Sequence, residues 1–477
     1  MKNPLLVTAF LLTAPLLTQA QSTWNTTTGN WNTAGNWLPA AIPVSGSSTA
    51  LTFGGNASYT ATNNIGAGFQ LNKLTLTNTV GRVTIAGSSL DFVSTGGTTP
   101  TISHTTVGTE AATISADLIL TNDLGISATG SSSFDWLTLS GVVSGTGKLS
   151  VATGGGNYFV ILSNSGNSYS GGTTVSGGLK TAASGALGSG TVTLGGNGKW
   201  LLSTATQSHA NNISLNGTFS IDANVAATLS GNIALGANQL TLRTSSGAAT
   251  ATASGVISGA GNIIKGDTGG TWILSGSNSY GGTTAVNAGT LLINGNQSLA
   301  AGNVSVAATG TLGGNGIIGG AVTVANSGFL APGTTTDATT TLALNAKNLT
   351  LSGVDSKVAM DLTGTGTGAF DQVTGIASFT MNGDVTLSLT GSYTTASWDL
   401  FDFTSKTGNF DTITLAGSYT GSLSRSADTW TGVVGGQDWT FEQTTGVLSV
   451  VPEPSTSLSL LAGLATLLMG FRRRRSR

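Results

Sequence analysis

No cysteine occurs anywhere in the 477 residues, so the chain has no disulfide, no thiolate metal ligand and no thiol nucleophile. Histidine is nearly as scarce. His104 and His209, in "TISHTTV" and "TQSHANNI", are the whole supply. Both neighbourhoods read as polar strand edges, and two isolated imidazoles leave little for zinc or general-base chemistry. Proline is limited to eight residues, and the 71 glycines keep no three-residue period, which excludes collagen. Only 8% of residues are charged. A disordered chain of this polarity would also be poor in Val, Leu and Ile. Here they are plentiful in short alternating runs, the pattern of an ordered all-β protein.

The remaining polar residues offer no catalytic pattern. "GDTGG" (266–270) places Thr268 where a trypsin-type protease needs serine. An aspartic protease needs a second Asp-Thr/Ser-Gly loop to pair its carboxylates, and "VDSK" (354–357) lacks the glycine. In an internal copy of the same stretch "ATGGG" stands there without the Asp, so the pentapeptide reads as a coil corner. "GTGK" (145–148) fails as a phosphate loop, since Leu149 stands where Ser or Thr should ligate magnesium. A nucleic-acid partner is excluded by a body that is neutral to acidic. Glycosidases need two carboxylates about 5 to 9.5 Å apart. The acids before residue 334 (Asp91, Glu110, Asp117, Asp123, Asp135, Asp222 and Asp267) read as solitary, with no Lys or Arg grouped beside them. A carbohydrate-active β-helix enzyme, polysaccharide lyase or glycosidase, is the alternative to a non-catalytic reading. It requires two carboxylates and a Lys or Arg converging in one groove.

What the chain does contain is repetition. "SGVVSGTGKLSVATGGGNYFVILSNSGNSYSGGTTV" begins at Ser140, and "SGVISGAGNIIKGDTGGTWILSGSNSYGGTTAV" begins at Ser254. Within the second copy Val286, Val306 and Val324 mark strand centres, and Leu291, Leu312 and Leu330 follow in "GTL", "GTL" and "GFL". Short β-branched runs every ~18 to 21 residues, parted by Gly and Asn, predict stacked coils that bury their apolar faces together. The fold class expected is all-β: a right-handed parallel β-helix (β-solenoid) over 57–333, with Gly and Asn supplying positive φ at the corners. A Trp-rich N-terminal cap is expected over 21–56. There Trp24, Trp31 and Trp37 either close the first coil or bind sugar rings, and burial of their large surface favours closing. Residues 334–450 carry eleven acids against four basic residues, predicting an acidic β-rich C-terminal domain that continues or caps the coils. Its carboxylates are hard oxygen ligands of the kind Ca2+ takes, but no EF-hand loop accompanies them, and no other cofactor is implied.

The two ends are addresses. Lys2 precedes an apolar core from Leu5 to Leu17, and small residues allow cleavage between Ala20 and Gln21, so 1–20 reads as a signal peptide. Near the other end Leu458–Phe471 carries no charge and predicts a short C-terminal hydrophobic helix of about 21 Å, short of a hydrocarbon layer of about 30 Å. Arg472, Arg473, Arg474 and Arg475 would stay cytoplasmic, leaving the body outside that membrane.

Pro452, Glu453 and Pro454, followed by that apolar run and arginine cluster, resemble the PEP-CTERM sorting signal of Gram-negative bacteria. The resemblance covers 451–477. It implies processing by an exosortase-type membrane transpeptidase, transient or retained membrane attachment through the tail, and a link to exopolysaccharide and biofilm. Residues 277–333, and more weakly 167–196, resemble the autotransporter-associated β-strand repeat of secreted passenger domains. Only about 117 residues separate this repeat from the tail, too few for the translocator barrel of a type V autotransporter. Together these features predict an exported, non-catalytic scaffold or adhesin-like protein of the cell surface or extracellular matrix.

Overall fold

A computed structural model describes residues 20–452 apart from 26–27, 106–110, 131–135, 155–157, 246, 248, 268, 334–339 and 367. The leader, the C-terminal apolar run, Glu453, Pro454 and Arg472–Arg475 lie outside the described residues, as do Glu110, Asp135 and Thr268. The chain divides into two compact units at Thr173/Thr174.

In the first unit each coil lays short strands on three parallel sheets. The longest runs through Ala20–Trp24, Thr49–Gly55, Lys73–Asn78, Thr101–Thr105, Leu124–Thr129 and Leu149–Gly154. Alternation sends every second residue inward, and ladder pairing stacks like positions. Leu51, Leu74, Ile102, Ile126 and Val151 therefore form one apolar column, all at most 1% exposed. Such columns are the stabilising feature, since each buried aliphatic side chain contributes about 1.5–3 kcal/mol. Trp37–Leu38 turns back antiparallel on Ala20–Trp24 and closes the edge that the first coil would otherwise leave open.

The second unit repeats the scheme. Gly178–Thr181, Lys199–Leu202, Phe219–Ala223, Leu240–Arg243 and Ile263–Lys265 pair in parallel. From Thr284–Ile293 onward two faces merge into single long bent strands, with a bulge between Val286 and Ala288. The ladder pairs Val286 with Val306, Val306 with Val324, Leu291 with Leu312 and Leu312 with Leu330, the strand centres marked in the sequence. The parallel stack continues through Lys357–Leu362, Asp384–Leu389 and Thr412–Gly417. It is followed by an antiparallel sheet in the order Ala396–Asp399, Val447–Pro452, Gln437–Glu442, Thr429–Val434, Ser424–Ser426. The acidic segment thus both continues the coils and ends in a separate sheet. Trp398 and Trp439 stack inside that sheet at 5.9 Å and an interplanar angle of 8°.

Glycine serves the expected purpose at many corners and a second one elsewhere. Several corner glycines have positive φ, but the most regular ones do not. A Cβ on Gly255, Gly276, Gly295 or Gly316 would lie 2.0–2.2 Å from the carbonyl oxygen of the glycine one coil earlier, namely Gly231, Gly255, Gly276 and Gly295. These glycines form a side-chain-free seam where successive backbones touch. Asparagine and aspartate fasten the other corners: Asn212 accepts from Asn232 N–H at 3.0 Å, and Asn232 accepts from Val256 N–H at 3.0 Å. Asp117 and Asp123 do likewise for Val142 and Lys148 at 2.7 and 2.8 Å, so these two acids act as coil fasteners.

Candidate functional site

Both histidines prove to be interior residues and not strand-edge ones. His104 sits in a column between Leu76 and Ala128, held by Asn78 at 3.1 Å and by the Tyr158 hydroxyl. His209 contacts Gln207 at 3.0 Å and the edge of Trp200. Burial lowers each to about 4, so both are neutral at pH 7.

The tryptophan trio is also interior. Trp24, Trp31 and Trp37 are 4%, 0% and 1% exposed. Trp24 and Trp31 meet Trp37 edge-on at 5.0 and 5.7 Å, and Trp31 stacks on Phe53 at 5.6 Å. Rings packed this way present no face to a sugar, so the sugar-binding expectation for them is corrected: they fill the interior of the first coils. At the opposite end, Pro452 is the last residue of strand Val447–Pro452 and is paired with Gln437. The first residue of the Pro-Glu-Pro signal therefore belongs to the last described strand.

The second unit holds a cluster that sequence reading missed. Between residues 174 and 333 only six residues are charged: Lys180, Lys199, Asp222, Arg243, Lys265 and Asp267. The ladder aligns Lys180, Leu201, Asp222 and Arg243 in one column across four coils, with Lys199 on the same face as Leu201. Lys199 Nζ lies 3.9 Å from Asp222, and Arg243 Nη2 lies 2.6 Å from Asp267. Asp222 is 2% exposed and also accepts from Ser245 N–H at 3.1 Å and Ser245 Oγ–H at 2.6 Å. Lys199, Asp222, Arg243, Lys265 and Asp267 therefore gather on neighbouring coils, with Lys180 two coils from Asp222 in the same column. Asp222 and Asp267 are not solitary. Their spacing of about one coil per charge is the signal that was available in the sequence.

Lys265 is the interior member. Its Cα pairs with Leu242 and Val286 in an otherwise apolar column, and the side chain is 0% exposed. Nζ donates to the carbonyls of Gly266, Gly269, Asp267 and Ala288 at 2.9, 3.1, 3.2 and 3.3 Å. Burial pulls the amine down to about 8, against the pull of Asp267, while the four carbonyl acceptors favour the ammonium. It anchors the "GDTGG" corner, where Asp267 has φ 71°, to the bulge of the next coil. That stretch is a corner, as its sequence indicated. Beside it opens a cleft of about 380 Å3 lined by Arg243, Thr244, Ser245, Asp267 and Gly269. Among the described residues no three His, Cys, Asp or Glu side chains gather as a metal site.

The two repeat copies share two of their fastening bonds. Asn167 and Asn278 accept from Val143 N–H and Ile257 N–H at 2.8 and 2.7 Å. Tyr169 and Tyr280 place their hydroxyls 2.6 Å from Thr173 and Thr284, four residues on. This makes Thr284 the counterpart of Thr173, one residue away from the pairing that simple alignment of the two Thr-Thr motifs suggests.

Residues 160–179 and 269–293 match the passenger-associated-transport-repeat, and residues 450–475 match the PEP-CTERM protein-sorting motif. The chain thus carries both features, and the sorting motif implies processing by an exosortase-type membrane enzyme. A stretch of 101 residues is 42% identical to the adhesin BmaC autotransporter of Brucella suis biovar 1 (strain 1330), covering 21% of this chain and 3% of that protein. No solved structure matches the chain. These likenesses support an exported, cell-surface protein of a Gram-negative bacterium.

Proposed function

We propose that this chain is an adhesin-like scaffold of the cell surface or extracellular matrix, without catalytic activity. The observation that carries the proposal is the 42% identity to an adhesin over 101 residues. The coil architecture supports it: interior columns are filled by apolar side chains, and the outward positions are left to Thr, Ser and Asn. Removal of the leader between Ala20 and Gln21 would leave Gln21–Thr23 still paired with Ala50–Thr52. Sorting would act through Pro452, Glu453 and Pro454, with Arg472–Arg475 holding the tail's orientation.

The enzyme alternative loses ground at its own criterion. Two carboxylates do gather with Arg and Lys, but Asp222 is sealed and hydrogen-bonded, and Asp267 is paired with Arg243. Neither is placed to protonate a glycosidic oxygen or to attack a sugar. Intact-mass and peptide mass spectrometry of protein from membrane and extracellular fractions tests the sorting step. An N-terminus at Gln21 and loss of the segment beyond Pro-Glu-Pro are expected. A full-length tail kept in the membrane fraction overturns processing. Attachment of cells lacking the chain tests the adhesive role, with reduced attachment expected and unchanged attachment contradicting it.

A further inference from the structure

We infer that the N-terminal cap is a self-association surface through which two copies of this chain join, cap to cap, about a two-fold axis. The inference concerns assembly and goes beyond the adhesin-like reading. Its first support is an apolar face where a solenoid needs a polar one. Leu38, Pro39, Ala40, Ala41 and Ile42 are consecutive and all exposed, and Val44 follows them. Leu38, Ile42 and Val44 are 63%, 44% and 78% exposed. Terminal coils need a polar outer face for solubility, and a contiguous exposed apolar run marks an interaction surface. The run is held in place. Trp37 and Pro43 bracket it as buried anchors, Ala41 N–H donates to Pro39 O at 2.7 Å, and Thr49 Oγ1 donates to Val44 O at 2.6 Å.

The second support is an open sheet edge continuous with this run. Strand Trp37–Leu38 covers the first coil and is itself the last of its sheet. It pairs with Ala20–Trp24 on one side and with no strand on the other among the described residues. Such an edge is a template for another strand. The third support is charge, which selects the occupant. Residues 21–72 contain no Asp, Glu, Lys or Arg, so nothing there attracts a charged partner. The complementary face must be uncharged and apolar and must offer an open edge. The same cap on a second copy meets all three conditions. The last sheet of the chain does not. It belongs to the acidic segment, its edge strand Ser424–Ser426 is polar, and its exposed Val433 and Val451 flank Asp438. The contact is therefore isologous and closes at two copies, with the two Leu38 side chains brought close together.

The test is sedimentation velocity of the exported chain over a concentration series, beside the double variant Leu38→Lys/Val44→Lys. A reversible monomer–dimer equilibrium is expected for the wild type. A two-fold contact contains each lysine twice, so the variant should weaken dimerisation about 100-fold or more. Both positions are exposed, so its melting profile should be kept. Leu299→Lys, at an exposed apolar position of the second unit, should leave the dimer unchanged. Because the chain has no cysteine, the orientation is open to chemical test. A short bis-maleimide should link Leu38→Cys chains into covalent dimers and leave Leu299→Cys chains single. A monomer at every concentration, a dimer that survives the double variant, equal cross-linking at both positions, or open-ended polymers overturns the assignment. Co-sedimentation with phosphatidylcholine vesicles covers the other apolar occupant. Vesicle binding that the double variant loses, without a dimer in solution, overturns the assignment in favour of a lipid surface.

Discussion

The repeat copies beginning at Ser140 and Ser254 share a backbone and differ in charge. Both have a touching corner glycine, with Gly141 against Ala116 O and Gly255 against Gly231 O, both have the asparagine fastener, and both have the tyrosine–threonine bond. One inward position carries Val151 in the first copy and Lys265 in the second. The shared features are those that stacking demands. Lys265 and Asp267 of the second copy are additions that the coil tolerates. The comparison therefore separates residues that build the solenoid from residues that decorate it.

Exchange at the differing position should break the comparison most visibly. Val151→Lys puts an ammonium into an aliphatic column beside Ile126, and a loss above about 4 kcal/mol or failure of the first unit to fold is expected. Lys265→Val removes the donor shared by four carbonyls and should cost about 2 kcal/mol. Denaturant unfolding of each variant measures both. Equal losses would mean that the cage has no part in accommodating the lysine.

Acid should treat the two units alike despite their different charge. His104 and His209 are held at about 4, below the ordinary 6.5. The unfolded chain therefore takes up the proton first as pH falls. The stability that neutral, buried imidazole contributes is complete above about pH 6.5 and is lost progressively down to about 4. The full loss approaches about 3 kcal/mol per histidine. Melting followed by hydrogen exchange across that range should show protection falling in both units. His104→Gln should remove the dependence from the first unit only.

The smallest contrast lies in the tyrosines. Tyr280 meets both Thr284 and Gln297, at 2.6 and 3.1 Å, whereas Tyr169 has Thr173 at 2.6 Å. Tyr280→Phe should cost about 1.5 kcal/mol and Tyr169→Phe about 1 kcal/mol, read from thermal unfolding.

Much of the fold was legible because coil period and apolar alternation are both local. The Val286–Val306–Val324 series names ladder partners directly. In the first unit the steps along the Leu51–Val151 column vary between 23 and 28 residues, and no repeated motif marks them. The charged cluster of the second unit was missed because its residues from Lys180 to Lys265 stand 19 to 23 apart in sequence, and each looks isolated. The period that revealed the valines, applied to the charges, would have found them. For the tryptophans the sequence favours closing the coil but leaves sugar binding open, because composition cannot say which face of a ring is covered.

The glycine seam through Gly231, Gly255, Gly276, Gly295 and Gly316 bears on how such a chain can change length. The seam steps are 24, 21, 19 and 21 residues, so a coil can lengthen or shorten between its glycine contacts. An insertion at the contact itself would carry a side chain into a gap that admits none. Length variation in this solenoid is therefore confined to the stretches between seam glycines or to whole coils, which return a glycine to the contact.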